Sequence, residues 1–371
     1  MKHVNVLINP QNIESQSKRI VRLLSELGVI SFPFSPKDEP KIKVKKFTDG
    51  LSNILVGVYH QENPEEIIMV RVYGEAVSDL VDRKTELDTM VLLSSVGLSN
   101  KLFATFENGF CYEYLNGKVL DIDLVRNERV SKLVARALAK LHTLKLGSSR
   151  EKIESGLMKR MKKFLDSIPD DLQLEPIVKP EKDSNNNEGP LIKGEVLVTK
   201  DGLITKAQLA KEVSYLEKSH LIRTEKDIVF CHNDTLPKNL ILSKDQSKVL
   251  IIDLEYADYN GRGFELADHF IEFCGIDFDT TRYPNEAFIR KFINNYVTAI
   301  KRINLKNRTS HPVPNENELY VKILMYSCVV NLFWALWSLV MSNDPATKSF
   351  DYKEYAMKRL KEYYKRRIYL L

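Results

Sequence analysis

The stretch 228–256, I-V-F-C-H-N-D-T-L-P-K-N-L-I-L-S-K-D-Q-S-K-V-L-I-I-D-L-E-Y, constrains this chain more than any other. Ile228–Cys231 and 249–252 are short apolar runs rich in β-branched residues, with a polar turn at 245–248 between them. Both read as buried strands of one hairpin. Each run ends in residues that packing alone would not select. The first delivers His232, Asn233 and Asp234, with Asn239 five residues on, and the second delivers Asp253 and Glu255. Carboxylates and an amide carbonyl suit a hard cation: Mg²⁺ bound together with substrate phosphates takes one or two carboxylates and keeps several waters. Asn239 and Asp253 suffice to hold it, which leaves Asp234 free as a base. The plain alternative is a buried hairpin with acidic ends.

A base, a short gap, an Asn, a strand and an Asp, in that order, resemble the catalytic and metal-binding loops of the protein-kinase-like phosphotransferases. H-N-D stands here for H-R-D, and D-L-E for D-F-G, departures that point to the small-molecule kinases of that superfamily. The resemblance implies an α+β, protein-kinase-like two-lobed fold. A small N-terminal lobe, residues 1–115, would carry an antiparallel sheet and bind ATP; a larger, mostly helical lobe, residues 116–371, would carry catalysis and substrate binding.

At 371 residues the chain can bury a sizeable core. Its formal charge of +5 is the balance of 55 basic and 50 acidic residues, interspersed, which is not the footprint of a nucleic-acid binder. Cys111, Cys231, Cys274 and Cys328 lie far apart without a C-x-x-C pair, so neither zinc nor a disulfide framework is expected. The first ten residues lack the basic start and long apolar core of a signal peptide, and a cytoplasmic location is expected. Residues 323–341 are nearly free of charge and about as long as a membrane span. Interrupted by Ser327, Asn331 and Ser338 and unaccompanied by a second span, they are expected as a buried helix of the larger lobe, not a transmembrane segment.

Residues 13–27 carry apolar side chains at helical spacing and end at Gly28. Three short strands follow, Ile42–Phe47, 54–59 and 67–73, implying a small antiparallel sheet. In the turn between the first two, Gly50, Leu51, Ser52 and Asn53 can bring backbone N–H groups to a phosphate, because Gly50 has no side chain. Taken alone, that turn is an ordinary hairpin. Arg71, near the end of the third strand, stands where a nucleotide phosphotransferase needs a cation on the α- and β-phosphates, and its fork matches phosphate oxygens. Glu86, in the helical stretch 80–93, is its expected partner, with Asp82 and Asp88 as competitors. Asn108-Gly109 between apolar runs marks another hairpin. The sheet then has about five strands and runs into a joint at Asn116-Gly117. Adenine is expected against the backbone of Glu113, Tyr114 and Leu115, unless that segment is a plain edge strand. Residues 128–142 fit one helix face, and His142 at its end is expected to be structural, with a catalytic histidine as the alternative. The polar insert 179–190 lacks core residues and is expected to be a mobile surface loop. Residues 203–221 and 264–274 read as further helices, and in the latter Glu272 lies one turn beyond Asp268.

Trp334 and Trp337, spaced i, i+3, share a helix face, either in a core or as a cation–π surface. With them the pattern resembles the choline/ethanolamine kinase family from about Phe47 to the C-terminus. Its carriers are the L-S-N turn, V-R-V-Y-G, E-N-G-F-C-Y-E-Y, F-C-H-N-D-x-x-x-x-N, I-I-D-L-E-Y, Y-N-x-R-G-F, H-F-x-E-F, F-W-A-L-W-S and F-D-Y-x-x-Y-A. The resemblance implies ATP- and Mg²⁺-dependent phosphorylation of an amino alcohol, the first step towards phosphatidylcholine or phosphatidylethanolamine. It implies Asp234 as the base, Asn239 and Asp253 as metal ligands, Glu255 as an auxiliary metal or phosphate contact, and Arg71 on the ATP phosphates. Tyr256, Glu272, Trp334 and Trp337 would surround the substrate ammonium, with Phe350 and Tyr355 nearby. A homodimer is left open. Leu236 stands where choline kinases typically carry Gln and ethanolamine kinases Leu, and F-C-G-I after Glu272 lacks the tyrosine that helps close the choline cage. Ethanolamine is therefore the expected substrate, with choline, or both, as the alternative. Glu265 and Asp268 replace the family's usual Asp and Asn, and Pro237 inside the loop is unusual. These departures leave open a catalytically inactive amine- or nucleotide-binding module. The basic run 357–367 is expected as a solvated terminal helix, with attachment to a membrane surface as the alternative.

Overall fold

The computed structural model describes residues 2–9, 17–28, 41–47, 53–73, 82–146, 153–175, 203–343 and 350–370. The insert 179–190 and the turn residues Gly50, Leu51 and Ser52 lie outside them. In chain order the elements begin β1 (Lys2–Val4), α1 (Ser17–Glu26), β2 (Ile42–Phe47), β3 (Asn53–His60), β4 (Asn63–Tyr73), α2 (Arg83–Ser95), β5 (Leu102–Phe106), β6 (Gly109–Glu113) and β7 (Gly117–Val119). There follow α3 (Ile122–Arg126), α4 (Glu128–Leu141), α5 (Leu157–Ser167), β8 (Gln173–Leu174), β9 (Ile204–Thr205), α6 (Lys206–Lys218) and α7 (His220–Thr224). The chain continues through β10 (Ile228–Cys231), β11 (Leu240–Ser243), β12 (Val249–Ile251) and β13 (Asp258–Gly261). It ends in α8 (Arg262–Ile271), α9 (Glu286–Asn307), α10 (Glu316–Met341) and α11 (Tyr352–Arg366). These residues cluster in two compact units, 1–120 with 239–256, and 121–238 with 257–371.

In the first unit six strands form a sheet in the order β1-β5-β6-β4-β3-β2. Alternation along β3 and β4 buries Val56, Val58, Val70 and Val72, and α1 joins the same cluster through Ile20, Leu23 and Leu24. The sixth strand, β1, runs parallel to β5 and was not expected from sequence, since three residues are too few to show a period. Its neighbour segment is pinned by the hairpin turn: the Asn108 side chain accepts from Ile8 N–H at 3.0 Å and donates to Ile8 C=O at 2.7 Å. Gly109 follows because a Cβ there would come within 2.1 Å of the Arg71 carbonyl oxygen.

The hairpin expected between 228–231 and 249–252 does not form. β12 pairs with β11, which pairs with β7, whereas β10 pairs antiparallel with β13. Leu240–Ser243, which sequence reading left between the two runs, supplies the missing partner strand, and the two acidic clusters thereby fall in different units.

The second unit is helical around α10. That helix is long and apolar enough to cross a membrane, but 78% of its most apolar window is buried within the protein, as a core helix requires. α8 is buried along its whole length. α11 is not a solvated helix: Tyr355, Arg359, Leu360, Tyr363 and Arg366 are buried, two of them basic residues of the run 357–367. All four cysteines are buried and reduced. Burial pushes the Cys111 and Cys274 thiols up to about 12, and those of Cys231 and Cys328 also well up.

Candidate active site

Strand β4 carries Arg71 into a cluster of carboxylates within the first unit. Its guanidinium lies 3.0 Å from Glu86 Oε1, 3.2 Å from Asp253 Oδ1 and 3.1 Å from Glu255 Oε2. Of the three acids considered on or near α2, only Glu86 turns inward; Asp82 caps the helix by accepting from Lys84 and Thr85 N–H, and Asp88 is exposed. Arg83 adds a second cation, 3.1 Å from Glu86. Three carboxylates thus face two guanidiniums. Burial, and then the charge of Asp253, push Glu255 up to about 7. Asp253 sits at φ 62°, a left-handed backbone that costs energy outside glycine and is characteristic of functional turns. Asn239 belongs to the same unit, its C=O accepting from Ile252 N–H at 3.0 Å. An excess of negative charge beside all-oxygen donors fits a hard divalent cation. Further along the unit, the Glu113 backbone is spent within the protein: its N–H donates to Lys101 C=O, and its C=O accepts from Asn100 Nδ2. Tyr114 N–H donates to Ile67 C=O. Of the three residues expected at adenine, Leu115 is the one whose backbone has no partner among the described residues. Asn53 opens β3 opposite Tyr73.

In the second unit, the residues after β10 form a loop whose backbone is held by side chains of α8. Glu265 accepts from His232 N–H at 2.8 Å and from Asn233 N–H at 2.7 Å. Asp268 Oδ2 accepts from Thr235 N–H at 2.7 Å and from Thr235 Oγ1–H at 3.1 Å, and His269 Nδ1–H donates to Thr235 C=O. Two of the departures noted in the sequence, Glu265 and Asp268, are therefore residues that fix the loop. Asn233 takes φ 66° and accepts from Asn260 Nδ2, so Asp234 follows a backbone held on both sides. Behind Glu265 lies a second layer of hydrogen bonds. Arg262 can only donate, so the Tyr296 oxygen accepts from it, and the same hydroxyl is hydrogen-bonded to His142 Nδ1 at 2.7 Å. His142 Nε2 lies 3.7 Å from Glu265 Oε1. Burial pushes Glu265 up, but His142, His232 and the loop N–H together bring it below the usual carboxylate value.

Four of the five aromatic residues expected around an ammonium group, Trp334, Trp337, Phe350 and Tyr355, lie in this unit. Trp334 donates its Nε1–H to Asp268 Oδ1 at 2.7 Å and packs edge-on against Trp337, with ring centroids 5.5 Å apart. Phe350 meets Tyr355 at 5.6 Å. Tyr352, which sequence reading passed over, lies between Trp337 (5.6 Å) and Phe350 (4.8 Å); its signal was its place in F-D-Y. Glu272 follows α8 with its side chain 11% exposed. Tyr256 is buried at the end of 239–256, in the first unit. Burial, and then the charge of Glu272, push Asp268 from 3.8 up to about 8. A carboxyl raised in the folded state favours folding at low pH and loses that contribution as pH rises towards its folded value. The melting temperature of the native chain should therefore fall more steeply between about pH 4 and 8 than that of Asp268→Asn, which has no proton to lose. Parallel curves would refute the shift.

The fold matches solved structures of a Plasmodium vivax ethanolamine kinase (TM-score 0.71, 21% identity, 97% of this chain and 91% of that one) and a Cryptosporidium parvum choline kinase (TM-score 0.70, 22% identity, 95% of each). At such identities the likeness defines a fold, that of the protein-kinase-like phosphotransferases. The family model for choline/ethanolamine kinase matches residues 44–364. Ethanolamine kinase 2 of Mus musculus is 33% identical over 88% of this chain and 76% of its own, and a probable ethanolamine kinase of Nematostella vectensis is 31% identical over 98% and 96%. The chain belongs to the choline/ethanolamine kinase family, enzymes that transfer phosphate from ATP to an alcohol acceptor.

Proposed function

We propose that this chain transfers the γ-phosphate of ATP to the hydroxyl of ethanolamine. The observation that carries the reading is Glu272: its side chain is 11% exposed, Arg359 engages Oε1, and Oε2 has no partner among the described residues. A primary ammonium has three N–H donors to satisfy there, whereas a quaternary ammonium has none. Relatives at 31–33% identity that are named ethanolamine kinases support the same substrate.

In this reading Asp234 accepts the hydroxyl proton from the acceptor alcohol as it attacks. The α8 carboxylates keep that base in place on a rigid loop. Arg71, held by Glu86, offsets charge on the ATP phosphates, and Leu115 offers its backbone to adenine. Asn239 and Asp253 would hold Mg²⁺, with Glu255 beside them; bound there, the ion would neutralise charge developing on the phosphates. Trp334, Trp337, Phe350 and Tyr355 shape the amine end. The enzyme is proposed to act in the cytoplasm.

Steady-state ADP release with Mg²⁺ and each amine tests the proposal. We expect kcat/KM for ethanolamine to exceed that for choline by about tenfold or more, since a site built to bond N–H groups rejects an analogue that lacks them. Equal or reversed values would overturn the substrate, and no release with either amine would make the chain a binding module.

A further inference from the structure

Arg359 is an unusual residue to find inside a helical unit. It lies in the middle of α11, is 1% exposed, and directs Nη2–H to Glu272 Oε1 at 2.5 Å and to the Tyr355 hydroxyl. Its guanidinium also sits over two rings, 4.5 Å from the centroid of Phe278 and 4.9 Å from that of Tyr355. Nε and Nη1 find no hydrogen-bond partner although both are buried. A buried guanidinium with unmet donors is costly, and a packed apolar side chain would serve stability at least as well. The expense is explained if the cation does something for the groups it touches, and those are two of the residues assigned above to the amine end.

The geometry points to Arg359 as the positioning residue of the amine subsite: it clamps one oxygen of Glu272, turns the other towards the substrate ammonium, and fixes the Tyr355 ring beside it. This inference rests on the assignment of Glu272 to the amine. Asp268 cannot take over that role, because Trp334 and Thr235 occupy both its oxygens.

The sign of the effect separates positioning from charge. Removing a cation from the pocket strengthens its attraction for a cationic substrate, so a purely electrostatic role predicts a lower amine KM in Arg359→Met. Positioning predicts the opposite: KM for ethanolamine should rise roughly 10–100-fold, the range seen when a residue orienting a ligating side chain is lost. KM for ATP should stay within about twofold, and Arg359→Lys should restore much of the loss. If Arg359→Met does not fold, as melting curves will show, Arg359→Gln removes the charge and falls short of Glu272, and the same rise is expected. An unchanged or lowered amine KM in a folded variant overturns the inference. Glu272→Gln is the control for the underlying assignment. If it raises the amine KM while the Arg359 variants do not, only the positioning role fails; if it leaves the amine KM unchanged, the amine subsite itself is wrong. In the double variant Glu272→Gln, Arg359→Met, a KM no higher than that of Glu272→Gln shows that Arg359 acts through Glu272, and additive losses overturn it.

Discussion

Replacing Asp234 by alanine is expected to lower turnover by about 10²–10⁴-fold, the contribution of a positioned general base, while leaving the melting temperature within about 3 °C of the native value. The second half of that expectation follows from what holds the loop. The N–H groups of His232, Asn233 and Thr235 bond to Glu265 and Asp268, and the Asp234 N–H bonds to His232 Nδ1; all of these are backbone donors that alanine keeps. A variant that still phosphorylated ethanolamine or choline at the native rate would remove Asp234 from the mechanism. A variant that lost its cooperative transition would show that the side chain is structural instead.

Glu265→Ala should fail in the opposite way, through stability. It strands two buried N–H groups, each costing about 1–3 kcal/mol when left unsatisfied, so a loss on the order of 2–6 kcal/mol is expected in denaturant unfolding. Activity should fall with it, even in the fraction that stays folded, because a displacement of about 1 Å at a reacting group costs about 10²-fold. Glu265→Asp retains the charge and one methylene less of reach, so it should lie between the two. Native stability in the alanine variant would mean that water replaces the carboxylate and that the loop is held elsewhere.

Much of this fold was legible because its signals are local. Alternation of β-branched residues marked β2, β3 and β4, Asn-Gly marked the β5–β6 turn, and helical spacing marked α4 and α10. The pairing of strands was not local. Periodicity assigns a run to a strand but says nothing of its partner, so 228–231 and 249–252 read as one hairpin when each pairs with a segment that sequence had left as a turn or a connection. The carboxylates of α8 illustrate another limit. Glu265 and Asp268 looked like departures because only residue types were in view; the reach of a longer side chain to a backbone N–H is a matter of geometry. Arg359 was invisible for a related reason, since a lone arginine in a basic terminal run looks like surface.

The four buried thiols turn the protein into its own clock. With every sulfur enclosed and held in the unreactive protonated form, an alkylating reagent meets no target until the chain opens. Cys111 marks the first unit, and Cys231, Cys274 and Cys328 the second. Counting labelled peptides over time therefore dates the opening of each unit separately, without a dye, a tag or an engineered residue.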